Sequence, residues 1–136
     1  MIVFDHSRLG SIVAEVTYGP LGRDDLLRYA EASGDMNPLH LDPEFARDAG
    51  FDDVIVHGML GMALLGRMVS EAFPDQRMTR FSAKFRSIIP VGRKIRCVAR
   101  LKRLGDIGAE LELLGLSDEG ETYLQGIALV AQSAGD

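Results

Sequence analysis

Residues 58–73, GMLGMALLGRMVSEAF, form the most apolar stretch of the chain. Apolar side chains lie nearly all round a helix built from this stretch, which is typical of a helix buried on most sides. Gly61 and Gly66 each lower the stability of such a helix, so we expect a packing reason for their presence. Arg67 and Glu71 interrupt the run, which falls short of the ~18 apolar residues that cross a bilayer. The stretch therefore predicts a central buried helix and no membrane association.

On the N-terminal side of this helix, the sequence predicts a strand, a helix and a loop. Residues 12–17 alternate between apolar and polar side chains, the pattern of a strand. Residues 23–33 begin with acidic side chains and stop before Gly34, which is typical of a helix. The segment 35–56 is loop-like because its prolines forbid a continuous helix, although Pro43 to Arg47 fit one or two turns.

On the C-terminal side, four segments of alternating polarity predict antiparallel strands. They cover residues 81–86, 95–102, 107–113 and 122–130. Pro90 and Gly92 predict a turn after the first of these segments, and Asp118 to Gly120 predict a hairpin turn before the last. Helices grouped before a strand meander predict an α+β fold, in which an antiparallel sheet wraps one long central helix.

Length and composition set wider limits. The 136 residues predict one domain over residues 1–136, with 46% apolar and 26% charged side chains as in ordinary globular proteins. The net charge of −5 argues against nucleic-acid binding. Cys97 is the only cysteine, so an internal disulfide is impossible, and a lone thiol predicts a cytoplasmic location.

Residues 35–40, DMNPLH, bring a carboxylate, an amide and an imidazole close together. Histidine exchanges protons near neutral pH, so His40 is a candidate general acid or base. Asp35 can hold an imidazolium or donate a proton itself. Pro38 stiffens the loop, which favours the fixed geometry that catalysis needs. An ordinary surface turn, in which Asp35 and Asn37 cap the backbone, explains the same residues.

His57 and Gly58 stand at the start of the apolar stretch. The first N–H groups of a helix have no internal acceptor and carry partial positive charge, so this end can bind an oxyanion. Gly58 permits a close approach because it has no side chain. For His57 itself we favour the simpler interpretation, a partly buried cap at a tight helix entry.

Asp35, His40 and His57 also have the ligand types of a two-histidine, one-carboxylate metal site. The histidines lack the spacing that places two ligands on one helix face. We therefore expect no metal ion at these residues.

Several motifs occur in a fixed order along nearly the whole chain. They are YAEASGDMNPLH at 29–40, FA at 45–46, VIVHGML at 54–60, FR at 85–86 and PVG at 90–92. Together they resemble the MaoC-like (R)-specific enoyl-CoA hydratases, and the Gly-Asp-x-Asn-Pro-x-His element is the most specific part. The resemblance implies a hotdog fold, a long helix wrapped by an antiparallel sheet, and it agrees with the element order predicted above.

The resemblance also implies a hydro-lyase reaction, the reversible hydration of trans-2-enoyl thioesters to (R)-3-hydroxyacyl thioesters in fatty-acid or related acyl metabolism. On these positions His40 would activate water for attack at C3. Asp35 would position that water and protonate C2. The Gly58 amide would polarise the thioester carbonyl, where the addition places negative charge.

Asn37, His57 and Met59 belong to the same motifs, and we expect them to contact the substrate; Asn37 would fix the loop or the carboxylate. No cofactor is expected, because coenzyme A or the acyl carrier is part of the substrate. Where some members of the family have a serine that supports the aspartate, this chain has Gly66. Asp35 would then lack one hydrogen bond, and the smaller residue would leave space for a wider acyl chain.

The charge is unevenly distributed along the chain. Residues 77–103 contain ten basic and no acidic side chains. Solvated strand faces are the simplest explanation. The functional alternative is a binding site for the phosphates of coenzyme A or for an acidic acyl carrier protein.

Two other functions remain open at this point. The first is the catalytic subunit of a heteromeric 3-hydroxyacyl-thioester dehydratase, in which a second hotdog chain lacks the Asp/His loop. The second is an acyl-CoA thioesterase, against which the intact loop of Asp35 and His40 argues. For the hydratase, the resemblance implies a homodimer or a dimer of dimers.

Overall fold

A computed structural model of the protein describes residues 4–131. In this range the helices are α1 (Arg23–Ser33), α2 (Pro43–Asp48) and α3 (Gly58–Ala72), and the strands are β1 (Ile12–Tyr18), β2 (Met78–Phe85), β3 (Ile95–Gly105), β4 (Gly108–Leu116) and β5 (Thr122–Ala131). Every helix and strand predicted from the sequence is present, with ends shifted by a few residues. The extent of the domain over residues 1–136 stays a prediction, because both termini lie outside the described residues.

The five strands form one antiparallel sheet in the order β1-β3-β4-β5-β2. Helix α3 lies against the sheet and contacts all five strands. This arrangement confirms the predicted α+β class and the hotdog fold.

Alternation along the strands builds the core on the face that meets α3. Leu101, Leu111 and Leu113 are completely buried there, and α3 adds Leu65 and Met68, which are also completely buried. Burial of a side chain of this size stabilises the fold by about 1.5–3 kcal/mol. The core therefore fixes α3, and with it the position of the helix start, relative to the sheet.

One side of α3 is exposed, although its apolar sequence predicts burial on most sides. Met59, Ala63, Arg67 and Ser70 recur at helical spacing on that side, and Arg67 pairs with Glu71 at 2.9 Å. The reason is that the sheet covers only the opposite side of the helix. No helix within residues 4–131 is long and apolar enough to cross a membrane.

Gly61 and Gly66 are buried where side chains of the sheet reach the backbone of α3. A β-carbon at Gly61 would stand against Leu124 and Ile89, and one at Gly66 would lie 3.1 Å from the Phe81 ring. The packing reason expected for both glycines is therefore confirmed. The Phe81 ring takes the space beside Gly66, so this glycine opens no room for an acyl chain on that side. The prediction that it leaves space for a wider acyl chain is otherwise untested.

The connection from β2 to β3 is a crossover, so the predicted meander is wrong for this pair. Strands β4 and β5 lie between β2 and β3 in the sheet, and the turn at Pro90 and Gly92 lies within the crossover. The Val56 N–H donates to the Ile89 oxygen at 2.8 Å, and Ile55 forms an isolated bridge with Pro90. Backbone groups of the crossover thus find their partners in the segment before α3, and this pairing places the crossover beside the helix start.

Cys97 lies in β3 with its side chain completely buried. Burial raises the pKa of its thiol from the ordinary 9.0 to about 12, so the reactive thiolate is scarce. We expect a disulfide reagent such as DTNB to label the folded protein at least ~100-fold more slowly than the protein in guanidinium chloride. Equal labelling rates in the two states would contradict this burial.

Candidate active site

The segment 35–40 turns tightly through its own hydrogen bonds. Asn37 Oδ1 accepts the N–H of Leu39 at 3.0 Å, and Asp35 Oδ1 accepts the N–H of Asn37 at 3.2 Å. Pro38 begins the short 3-10 turn Pro38–His40. The side chain of Asn37 therefore fixes the loop, while its main-chain amide orients the carboxylate of Asp35. Its predicted contact with the substrate stays a prediction.

His40 is half-buried at the end of this turn. Its Nδ1 lies 2.7 Å from the carbonyl oxygen of Ile55. A carbonyl only accepts, so we assign the ring proton to Nδ1, which leaves a lone pair on Nε2. The Ile55 N–H in turn donates to the Leu39 oxygen at 3.1 Å. The bond to Nδ1 favours the tautomer that a general base needs, and the bond between Ile55 and Leu39 holds the two backbone segments together.

His57 caps α3 and is 1% exposed. Its Nε2 donates to the main-chain oxygen of Asp35 at 3.2 Å. Its ring stacks on His40 with centroids 3.8 Å apart and packs edge-on against Tyr29 at 4.9 Å. Its Nδ1 has no hydrogen-bond partner among the described residues, and leaving such a group unpaired costs about 1–3 kcal/mol.

Burial lowers the pKa of His57 below its ordinary value of 6.5; the nearby His40 lowers it further, and the hydrogen bond to Asp35 partly offsets both effects. The unfolded chain therefore binds more protons than the folded chain as the pH falls through about 6.5, and stability is lost in that direction. We expect the Tm of the wild type to fall between about pH 7.5 and about pH 5.5 by more than that of His57→Phe. Thermal unfolding across this range checks the prediction, and equal slopes would contradict a buried neutral imidazole.

Gly58 is the first residue of α3, where N–H groups have no acceptor within the helix. Together with His40 it lines a cavity of about 120 Å³. The rest of the wall is Ile55, Val56, Phe85, Ser87, Ile88, Ile89, Tyr123 and Leu124. At ~30 Å³ per water molecule, this volume holds only a few heavy atoms. The cavity thus lies between His40 and the start of α3, whereas Asp35 is exposed and lies outside the cavity wall.

Apart from His40 and Gly58, the residues of the cavity wall were not predicted from the sequence as part of the site. Phe85 continues the alternation of Phe81 and Ala83, so its position at the end of an apolar strand face was a usable signal. Ile88 and Ile89 lie in the crossover, where no periodicity marks them. Met59 is 53% exposed and does not line this cavity, so its predicted contact with the substrate stays a prediction.

Asp35, His40 and His57 lie together, as a metal site would require, with ligand atoms all within 4.8 Å of one another. The two imidazole planes, however, are stacked at an angle of 21°. Their in-plane lone pairs consequently run side by side, whereas a metal ion needs each nitrogen to point at it from ~2.0–2.1 Å. This geometry favours acid–base chemistry, and the expectation that no metal binds here stays a prediction.

The basic side chains of residues 77–103 are partly paired with acids from other strands. Arg96 pairs with Glu15 at 2.8 Å, and Lys102 and Arg103 lie 4.0 and 3.9 Å from Glu110. These pairs fit the interpretation as solvated strand faces, because the fold brings together charges that are separate in the sequence.

Two basic residues stand on either side of Phe85, which lines the cavity. Lys84 is exposed, and Arg86 is held by Gln125 Oε1 at 2.9 Å. Although both are next to Phe85 in the sequence, they line a separate groove with Gln125, because successive side chains of a strand point to opposite faces.

The family model of the MaoC like domain matches residues 7–112, which include the loop, the start of α3 and the strand wall. The chain belongs to the MaoC-like domain family. Within this family, the mitochondrial 3-hydroxyacyl-[acyl-carrier-protein] dehydratase of Arabidopsis thaliana is 40% identical over 88 residues, which cover 65% of this chain and 52% of the relative. The (R)-specific enoyl-CoA hydratase of Aeromonas caviae is 42% identical over 55 residues, 40% of this chain and 41% of the relative.

Solved MaoC-like structures agree over most of the chain. The (R)-hydratase from A. caviae has a TM-score of 0.83 at 28% identity, covering 90% of this chain and 95% of that one. The chain spans about half the length of the plant dehydratases that it matches. The comparisons therefore establish the family and the fold of this chain.

Proposed function

We propose that the protein is an (R)-specific hydro-lyase of acyl metabolism, which hydrates trans-2-enoyl-CoA or dehydrates (R)-3-hydroxyacyl thioesters. One observation carries the proposal: His40, with a free Nε2, and the N-terminal residue of α3 line the same cavity. A base and an anion-stabilising amide on either side of one small group are what conjugate addition of water requires. Relatives named as hydratases and dehydratases support the same reaction class.

In the proposed hydration, His40 Nε2 takes a proton from water while the water oxygen bonds to C3. The π electrons of the C2–C3 bond move toward the thioester carbonyl, whose oxygen gains negative charge beside the Gly58 N–H. Asp35 gives a proton to C2, and exchange with His40 and solvent restores it. One water molecule is thereby added across C2–C3, and the reverse sequence is the dehydration.

The acyl group of the substrate is carried by coenzyme A or an acyl carrier protein, and Lys84 and Arg86 are the candidates to meet its phosphate or acidic groups. Their positive charge supports this assignment. We also propose a cytoplasmic location for this chain, supported by its single buried thiol.

We propose that the working unit is a homodimer or a dimer of dimers. Large apolar side chains are exposed around the catalytic loop and the cavity, namely Met36, Phe45, Met59, Phe85 and Ile88. Such a cluster is typical of an interface. A second copy of the chain covering these residues would extend the small cavity. A single-chain mass in solution at micromolar concentration would contradict this assembly and would favour a heteromeric dehydratase.

Hydration of enoyl-CoA substrates tests the proposed activity. Purified protein is expected to consume crotonyl-CoA, and enoyl-CoAs of longer chains to an extent set by its acyl site, with (R)-3-hydroxyacyl-CoA as the product by chiral analysis. No consumption of any enoyl thioester would overturn the proposal. Release of free thiol from saturated acyl-CoA would instead identify a thioesterase.

A further inference from the structure

We propose that His57 is a positioning residue that sets the geometry of both Asp35 and His40. The inference rests on the proposed function and deepens it. His57 is 1% exposed, so its ring is enclosed by protein. Its influence on the reaction therefore passes through its neighbours, in place of the substrate contact that the motif predicts.

The first contact fixes Asp35. This residue lies in an exposed loop, where its N–H donates to Ser33 Oγ at 3.2 Å. The His57 Nε2–H holds its main-chain oxygen across 22 positions of the sequence. Because His57 directly precedes Gly58, the same residue ties the acid to the helix start that carries the amide donor.

The second contact fixes His40. The ring centroids of His40 and His57 lie 3.8 Å apart in a stacked pair. Tyr29 packs edge-on against the His57 ring, with centroids 4.9 Å apart. His40 is also tied to Ile55 through Nδ1. A hydrogen bond at one edge and a ring on one face together remove the tilting freedom of the imidazole, which points its Nε2 in one direction.

The unpaired Nδ1 of His57 separates a positioning role from a merely structural one. A ring that only filled space here would be better as phenylalanine, which leaves no buried lone pair without a partner. What imidazole has and a phenyl ring lacks is the Nε2–H that holds Asp35. The chain thus keeps a destabilising atom together with the contact that the reaction needs.

Two substitutions test the proposal by dividing the two contacts. His57→Phe keeps a stacking ring and loses the donor to Asp35. His57→Gln keeps an N–H near the position of Nε2 and loses the ring. We expect kcat for crotonyl-CoA hydration to fall about 100-fold in the phenylalanine variant, in line with the effect of a 1 Å misplacement, and about 10-fold in the glutamine variant, while KM changes less than about twofold in both.

Thermal unfolding distinguishes positioning from structural support. The Tm of His57→Phe at pH 7.5 is expected to equal or exceed that of the wild type, although its kcat is low. His6→Phe, a matched change at an exposed histidine, is expected to leave kcat and KM unchanged.

The outcomes separate this proposal from the proposed function. A wild type without hydratase activity would overturn the function itself. An active wild type with full kcat in both His57 variants would overturn only the positioning role, as would a rise in KM at constant kcat, which indicates a direct contact with the substrate. If the phenylalanine variant fails to fold, the kcat and KM of the glutamine variant decide the question.

Discussion

His40→Ala and Asp35→Asn are each expected to lower the kcat for enoyl-CoA hydration by about 10³-fold, within the range that general acid–base groups contribute. His40→Ala removes the only nitrogen with a free lone pair on the cavity wall in the described residues. Asp35→Asn keeps the shape of the side chain and an oxygen that can accept the Asn37 N–H. The loss in that variant therefore reports the missing proton donor more than a change of the loop.

Because the proposed reaction uses both groups in one proton cycle, their effects are expected to be strongly non-additive. The double variant should be within about tenfold of the weaker single variant, as in other catalytic groups that work as a unit. Initial rates with crotonyl-CoA measure this. His6→Ala and Asp48→Asn are matched controls, because both residues are exposed and lie outside the loop 35–40 and the cavity wall. Retention of more than a tenth of the wild-type kcat by either Asp35→Asn or His40→Ala would contradict the assigned roles.

Gly58→Pro is expected to lower kcat by about 10²–10³-fold, the usual effect of removing one oxyanion donor. Proline has no N–H, and it is well tolerated at the first position of a helix. The preceding His57 has φ −57° and ψ 128°, a conformation that a following proline permits. The substitution therefore removes the donor with little cost to α3.

Gly58→Ala is the matched control for the added bulk. Its β-carbon would lie 3.0 Å from the exposed ring of Phe85, so it introduces the same close contact as proline but keeps the N–H. We expect alanine to lose less than about tenfold in kcat, since the donor remains. Equal losses in the two variants would assign the effect to steric contact and would contradict a role for the amide.

The elements of the fold were predictable because their causes are local. The apolar run that begins at Gly58 has the length of a helix, and the strand segments alternate with period two. Alternation shows which residues share a face, but it does not identify the neighbouring strand. The sequence pattern therefore could not predict that β2 pairs with β5 or that the chain crosses over through Pro90. It also could not predict that the sheet covers only one side of α3 and leaves Arg67 exposed.

The site divides in the same way. Asp35, Asn37 and His40 were predictable because Asx and proline turn chemistry acts over a few residues. The stacking of His40 on His57 joins segments that only the tertiary structure brings together. The cavity wall was still less predictable from the sequence. Phe85 and Tyr123 come from different strands and meet the helix start only because the sheet curves round α3.

The candidate catalytic groups all lie on one continuous stretch, from Asp35 to Gly58, whereas the sheet and the crossover supply most of the cavity wall. In the proposed function, bond-making and most of the choice of substrate thus belong to separate parts of the chain. Substitutions at wall residues such as Phe85 or Ile88 can change which acyl groups fit and leave the proton-transfer geometry in place. This separation favours the evolution of new substrate preferences. Substitutions in the sheet and the crossover can change the acyl group that fits, while the residues proposed to carry out the reaction stay the same.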